Sequence, residues 1–247
     1  MSSPARGKKR GARALLACLL ILLALGLALA LYAGSYSRAV AEAAAAMERA
    51  RQGGGAYAFG DADAKIGVIL YPGGKVESTA YAPLAEEIAE TAGVLCAVPR
   101  MPLNLAVFDR DAASAVMAAY PAVTAWYVGG HSLGGAMAAS YAAAHADTVS
   151  GVILLAAYAT EKLDMPVLSV YGGADTVLNA EKYAACLANL PQGYAERVLP
   201  GGNHAQFGCY GAQKGDSPAD IPAGEQRALT AACIAEWLSA ATGQKER

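Results

Sequence analysis

The sequence predicts an α/β fold: a mostly parallel, doubly wound sheet preceded by one N-terminal transmembrane helix. Three observations predict it. From Ala56 onward, short apolar runs alternate with helical patterns, the rhythm of βαβ units whose sheet is covered on both faces. Ala14 to Ala33 carries no charge over 20 residues, about 30 Å of helix and enough to cross a bilayer core. Finally, Val128-Gly129-Gly130-His131-Ser132-Leu133-Gly134-Gly135 joins an apolar run, Val123 to Val128, to a small-residue helical segment, Ala136 to Ala146. A serine between glycines at a strand-to-helix turn is the setting of a nucleophile elbow.

The N-terminus is basic, with Arg6, Lys8, Lys9, Arg10 and Arg13 before the apolar run. The positive-inside rule then places residues 1–13 in the cytoplasm and the rest of the chain outside. The run is longer than a signal-peptide core, so the expectation is an uncleaved signal anchor, residues 14–33, in a cytoplasmic membrane. The alternative is a secreted form cleaved after Ala28-Leu29-Ala30. Gly34 to Arg51 is alanine-rich and reads as a helix, and Gln52-Gly53-Gly54-Gly55 breaks it. Residues 34–55 are therefore a linker, 56–243 the folded domain and 244–247 a polar tail.

Within the domain, Ile66 to Tyr71 is a buried strand ending in the turn Pro72-Gly73-Gly74-Lys75. Ser78 to Ala92 is a helix with Leu84 and Ile88 on one face and Glu86, Glu87 and Glu90 on another. Val94 to Val98 is a strand, Pro99 to Leu105 a proline-broken loop and Phe108 to Tyr120 a helix. Trp126 to Val128, Gly151 to Ala156, Val167 to Tyr171 and Glu196 to Leu199 are strands. Ala180 to Leu190 and Gly224 to Ala241 are helices. Ligands of such sheets bind at the carboxyl ends of the strands, and the turns after Tyr71, Val128, Tyr171 and Leu199 are such ends.

The chain has 247 residues and a net charge of −2, which suits one domain with an appendage and gives no electrostatic case for nucleic acid. Cys18 opens the apolar run, where a lipoprotein cysteine would follow it. Cys96, Cys186, Cys209 and Cys233 lie in the exported part, and their spacing has no metal-ligand pattern. Cys96 reads as a buried thiol, and a Cys186–Cys209 bridge is open.

A serine hydroxyl needs a base, and the chain holds three histidines. His131 is next to Ser132 and points elsewhere on a tight turn. His145 falls near the far end of the following helix. His204, in a glycine-rich loop after the last short strand, is left as the base. The base needs a carboxylate, which in this chain order falls between Ser132 and His204. Asp147, Glu161, Asp164, Asp175, Glu181 and Glu196 are available. Asp175 sits on a loop at the correct sheet edge, with Glu161 and Asp164 as runners-up. Oxyanion donors would be the backbone amides of Leu133, at the start of the elbow helix, and of Gly74, with Lys75 next. Lys75, His131, Asn104 and Gln206 are candidate pocket residues, and the polar loop Tyr210 to Pro222, with Gln213, Asp216 and Asp220, is a candidate pocket wall. The chemistry calls for no cofactor and no metal.

In these motifs the chain resembles the α/β-hydrolase fold family over roughly Ala56 to Ala241. More narrowly it is similar to a bacterial group of membrane-anchored or exported α/β hydrolases of poorly defined substrate. That resemblance rests on Tyr71-Pro72-Gly73-Gly74-Lys75-Val76, Met101-Pro102-Leu103-Asn104-Leu105-Ala106 and Gly202-Asn203-His204-Ala205-Gln206-Phe207-Gly208. It implies a Ser132–Asp175–His204 triad and no particular substrate. Pro72 stands where many relatives have a histidine. The short gap after Leu155 leaves no room for the inserted lid of many lipases. The expected activity is hydrolysis of a small or medium ester or thioester through an acyl-enzyme. A peptidase or amidase on the same triad, or a silent binding protein of the cell envelope, is the alternative. The expected partners are an acyl substrate and the membrane, with the oligomeric state undetermined.

Overall fold

The computed structural model describes residues 5–243; the polar tail 244–247 lies outside them. It divides into two compact units, Met1–Tyr36 and Ser37–Arg247. The first holds helix α1, Ala5–Gly34. Its stretch Arg13–Tyr32 is 20 residues long with a mean hydropathy of 3.0, long and apolar enough to cross a membrane.

The second unit is built on one eight-stranded sheet. Its strands in chain order are β1 (Arg51–Gly53), β2 (Ala56–Phe59), β3 (Ile66–Tyr71), β4 (Leu95–Pro99), β5 (Ala125–His131), β6 (Val149–Leu155), β7 (Val167–Gly172) and β8 (Ala195–Leu199). They lie in the order β1-β2-β4-β3-β5-β6-β7-β8. The β1–β2 and β2–β4 pairs are antiparallel and all others parallel. The helices are α2 (Ala41–Met47), α3 (Ala82–Ala92), α4 (Ala112–Ala119), α5 (Leu133–Ala144), α6 (Ala180–Cys186) and α7 (Ala223–Gly243).

The central strands read as continuous apolar runs because both faces are covered. Their side chains alternate between two cores. Val68, Leu70, Cys96, Val98, Ile153 and Leu155 join Leu84 and Ile88 of α3 and Ile234 and Leu238 of α7. Ile69, Tyr71, Leu95, Ala97, Val152 and Leu154 join Val116 of α4 and Ala138, Ala139 and Tyr141 of α5. The chain leaves β3 for β4 on one side and returns to β5 on the other. The loops after β3 and β5 thus open beside each other, at the topological switch point.

Three expectations need correction. Residues 34–55 are not a linker: from Ser37 they belong to the folded unit. Ala43 and Ala46 of α2 are buried, and Arg51–Gly53 pairs in register with Ala56–Ala58 across a two-residue turn, Gly54-Gly55, at positive φ. The glycines that read as a break are the turn of a hairpin. The helix expected from Phe108 begins at Ala112, after a turn at Ala106–Phe108. All five cysteines are free, so Cys186 and Cys209 form no bridge. Residues 156–166, between β6 and β7, contain no helix.

Candidate active site

Ser132 follows β5 directly, and its backbone is bent to φ 53°, ψ −122°. A side chain with a Cβ rarely occupies that region, so the turn is strained. Two glycines permit it. A Cβ on Gly130 would stand 2.6 Å from the Tyr71 carbonyl oxygen, and one on Gly134 2.3 Å from that of Pro72. The elbow is thereby pressed against the end of β3. The Ser132 amide donates to the Leu155 carbonyl at 2.9 Å, which ties the turn to β6.

Asp175 and His204 come from the loops after β7 and β8. The Gly173 amide donates to the Leu199 carbonyl and the Ala174 amide to that of Gly202, both at 2.8 Å. These bonds draw the two loops together. His204 Nδ1 lies 2.8 Å from Asp175 Oδ2, and the two side chains are 2% and 1% exposed. The other carboxylate oxygen, Oδ1, accepts the Val177 and Leu178 amides, each at 2.8 Å. Burial pushes the Asp175 carboxyl upward. The bonds from His204, Leu178 and Val177 outweigh it and hold the group below its ordinary value. An ionised Asp175 keeps the His204 proton on Nδ1, leaving Nε2 to accept another.

Ser132, Leu133 and His204 line one cavity of about 240 Å³ together with Ala156, Tyr158, Val177, Leu178, Asn179 and Lys182. Gly74 lies on the other flank of Leu133: a Cβ there would be 2.8 Å from Leu133 Cδ2. The Gly73 amide donates to the Tyr81 hydroxyl at 3.0 Å and the Lys75 amide to the Asn104 carbonyl at 2.7 Å. Gly74 therefore carries the amide of this turn best suited to an oxyanion, and Lys75 does not.

Three of the remaining candidate carboxylates are engaged elsewhere. Glu161 accepts from Ser140 on α5, Asp164 pairs with Lys162, and Glu196 accepts from Tyr183. His145 caps α5 and stacks on Tyr141. The four candidate pocket residues lie outside the cavity beside Ser132. Lys75 and Asn104 belong to the turn-to-loop contact described above. Gln206 lines a separate cavity with Arg227. His131 is 1% exposed and packs its ring 4.5 Å from that of His204 and 5.5 Å from that of Phe207. Burial, and then the neighbouring His204, hold His131 well below the ordinary histidine value, so it is neutral.

A family model described as the alpha/beta hydrolase family matches residues 67–228, the span from β3 through the His204 loop into α7. The chain belongs to the alpha/beta hydrolase family. Solved structures agree in fold. Est1E from Butyrivibrio proteoclasticus is 17% identical with a TM-score of 0.57, over 76% of this chain and 94% of that one. A thermophilic esterase from Thermogutta terrifontis is 15% identical with a TM-score of 0.56, over 74% and 92%. A membrane phospholipase A, described as a bacterial virulence factor, is 12% identical with a TM-score of 0.59, over 93% and 99%. No curated protein matches.

Sequence reading missed the residues that hold this candidate site in place. Gln226 of α7, 0% exposed, accepts the Asn203 amide and donates to its carbonyl. Asp216 accepts the Ala205 amide at 2.8 Å. Tyr81 bonds both the turn after β3 and His131. The signal for Gln226 was present: with Thr230 it interrupts the buried face of α7 at i and i+4. Asp216 and Tyr81 act across long sequence separations and leave no local pattern.

Proposed function

We propose that the chain is a serine hydrolase of carboxylic esters. Ser132 Oγ attacks the acyl carbonyl while His204 Nε2 takes its proton. The Leu133 and Gly74 amides hold the oxyanion. His204 returns the proton to the leaving alcohol, and water, activated by the same nitrogen, releases the acid and restores Ser132. Asp175 orients His204 throughout.

One observation carries the reading: His204, paired with buried Asp175 at 2.8 Å, lines the same cavity as a serine held at φ 53°. A strained backbone and a buried charge are both unfavourable, and together at a strand edge they mark a site. The cavity is small, about 240 Å³, which suits a short acyl portion. One of the similar structures is described as an esterase, in keeping with ester as the substrate class. We further propose that residues 14–33 anchor the protein in a cytoplasmic membrane with the hydrolase unit outside.

A fluorophosphonate probe tests the chemistry. It is expected to label the wild type, to fail with Ser132→Ala and to label His204→Ala weakly. Full p-nitrophenyl ester turnover by Ser132→Ala would overturn the assignment. A folded wild type that neither labels nor turns over esters would favour a silent binding protein.

A further inference from the structure

The loop from Met101 to Phe108 turns apolar side chains outward. Leu103 is 47% exposed, Val107 48% and Phe108 59%. Single exposed apolar residues are ordinary; three within six residues, beside a candidate site, form a patch. The backbone enforces it. Leu103 and Asn104 have φ of 53° and 55°, unfavourable for a leucine. The Asn104 amide donates to the Met101 carbonyl and the Leu105 amide to that of Pro102, each at 3.0 Å. Leu105 turns inward instead, 8% exposed, toward Gly74. The loop thus has one wall on the oxyanion turn and another in solvent.

The same turn receives the lead-in from α1. The Ser37 amide donates to the Lys75 carbonyl at 2.8 Å, and the Glu77 amide to that of Ser37 at 2.9 Å. The Ala39 amide donates to Glu77 Oε2 at 3.0 Å. The apolar stretch of α1 ends at Tyr32, five residues before Ser37. Five extended residues reach about 18 Å at most, a covalent bound that holds in any orientation of the two units. Lys75 also bonds Asn104, so the apolar loop is attached to the residue that receives this lead-in.

We propose that Leu103, Val107 and Phe108 dock on the lipid bilayer that holds α1, and that the site takes its substrate from that bilayer: an acyl ester of a membrane lipid. The docking rests on the anchor reading, and the chemistry rests on the serine-hydrolase reading. The reaction consumes one water and releases a carboxylic acid and the lipid alcohol. The small cavity takes the part of the acyl chain next to the carbonyl, while the rest of the lipid stays at the docked surface.

The test uses the full chain in phosphatidylcholine nanodiscs. In Phe108→Trp the added indole is expected to be quenched by brominated phosphatidylcholine, beyond the change seen for wild type with its own Trp126 and Trp237. Leu103→Ser/Val107→Ser/Phe108→Ser is expected to lower phosphatidylcholine cleavage about tenfold or more, the scale of losing three interfacial anchors. Its turnover of soluble p-nitrophenyl acetate is expected to stay at the wild-type level, which also shows that it folds. An unquenched indole, wild-type lipid cleavage by the triple variant, or a wild type that cleaves soluble esters and no bilayer ester would each overturn the proposal. Quenching with no ester of any kind cleaved would overturn the serine-hydrolase reading and leave the docking standing.

Discussion

The Tyr81 hydroxyl lies 2.7 Å from His131 Nδ1 and accepts the Gly73 amide at 3.0 Å. At that distance the Tyr81 phenol and the His131 imidazole are hydrogen-bonded to each other. Both residues are fully buried. One phenol thus joins the turn after β3 to the elbow after β5, the two segments that would form the oxyanion hole.

Tyr81→Phe keeps the ring and removes that link. It leaves the Gly73 amide buried without its acceptor, at a cost of about 1–3 kcal/mol in stability. In steady-state ester kinetics the expected loss is in kcat, about tenfold, with KM little changed, because a loosened oxyanion turn weakens the transition state more than the ground state. A purely structural Tyr81 would lower the urea midpoint and leave kcat unmoved.

Asp175→Asn separates orientation from folding. The Asn oxygen still accepts the Val177 and Leu178 amides, so the loop keeps its turn and thermal stability should fall only by the lost carboxylate–imidazole contribution. The carboxylate that fixes the His204 tautomer is lost, and kcat should fall by about four orders of magnitude, as in other such triads. The melting temperature and kcat, measured on one preparation, check both halves.

Ser132→Gly and Ser132→Ala are both expected to abolish turnover, and they should differ in stability. Ala keeps the strained φ of 53°, whereas Gly adopts it freely. We expect the glycine variant to be more stable than the alanine variant by about 1–2 kcal/mol. Equal unfolding midpoints for the two would show that the elbow stores no such strain.

Acid should destabilise the protein in two stages. His131 titrates well below the ordinary histidine value in the folded state, so the unfolded chain binds more protons and stability falls as pH drops below about 6.5, by up to about 1.4 kcal/mol per pH unit. Asp175 is held below the ordinary aspartate value; its contribution is complete above that value and lost as pH falls through the lower folded one. Urea midpoints between neutral and mildly acidic pH should decline in wild type, and His131→Asn should flatten that decline.

Much of this molecule is written locally. Ile66–Tyr71 is a strand with the bounds its apolar run predicts, because burial on both faces demands six apolar residues in a row. Ser132, Asp175 and His204 stood out as candidates because few residues of the right type follow a strand end, and the structure pairs the last two. The lead-in was misread. Gln52–Gly55 looks like a spacer by composition, and only its pairing with β2 makes it a hairpin. The candidate pocket residues fall outside the cavity beside Ser132 for the same kind of reason. Sequence shows that Gln206 and His131 are polar and near the motifs; it does not show which way a loop turns them.

The sequence alone determined the strand and helix rhythm, the elbow and the apolar N-terminal stretch, since each depends on residues within one turn or one strand. Tertiary structure decided what joins them. Tyr81 reaches His131 across 50 residues, Gln226 grips the His204 loop from α7, and Ser37 straps onto Lys75 and Glu77. Such contacts arise from sheet order and loop direction, and a one-dimensional pattern carries neither.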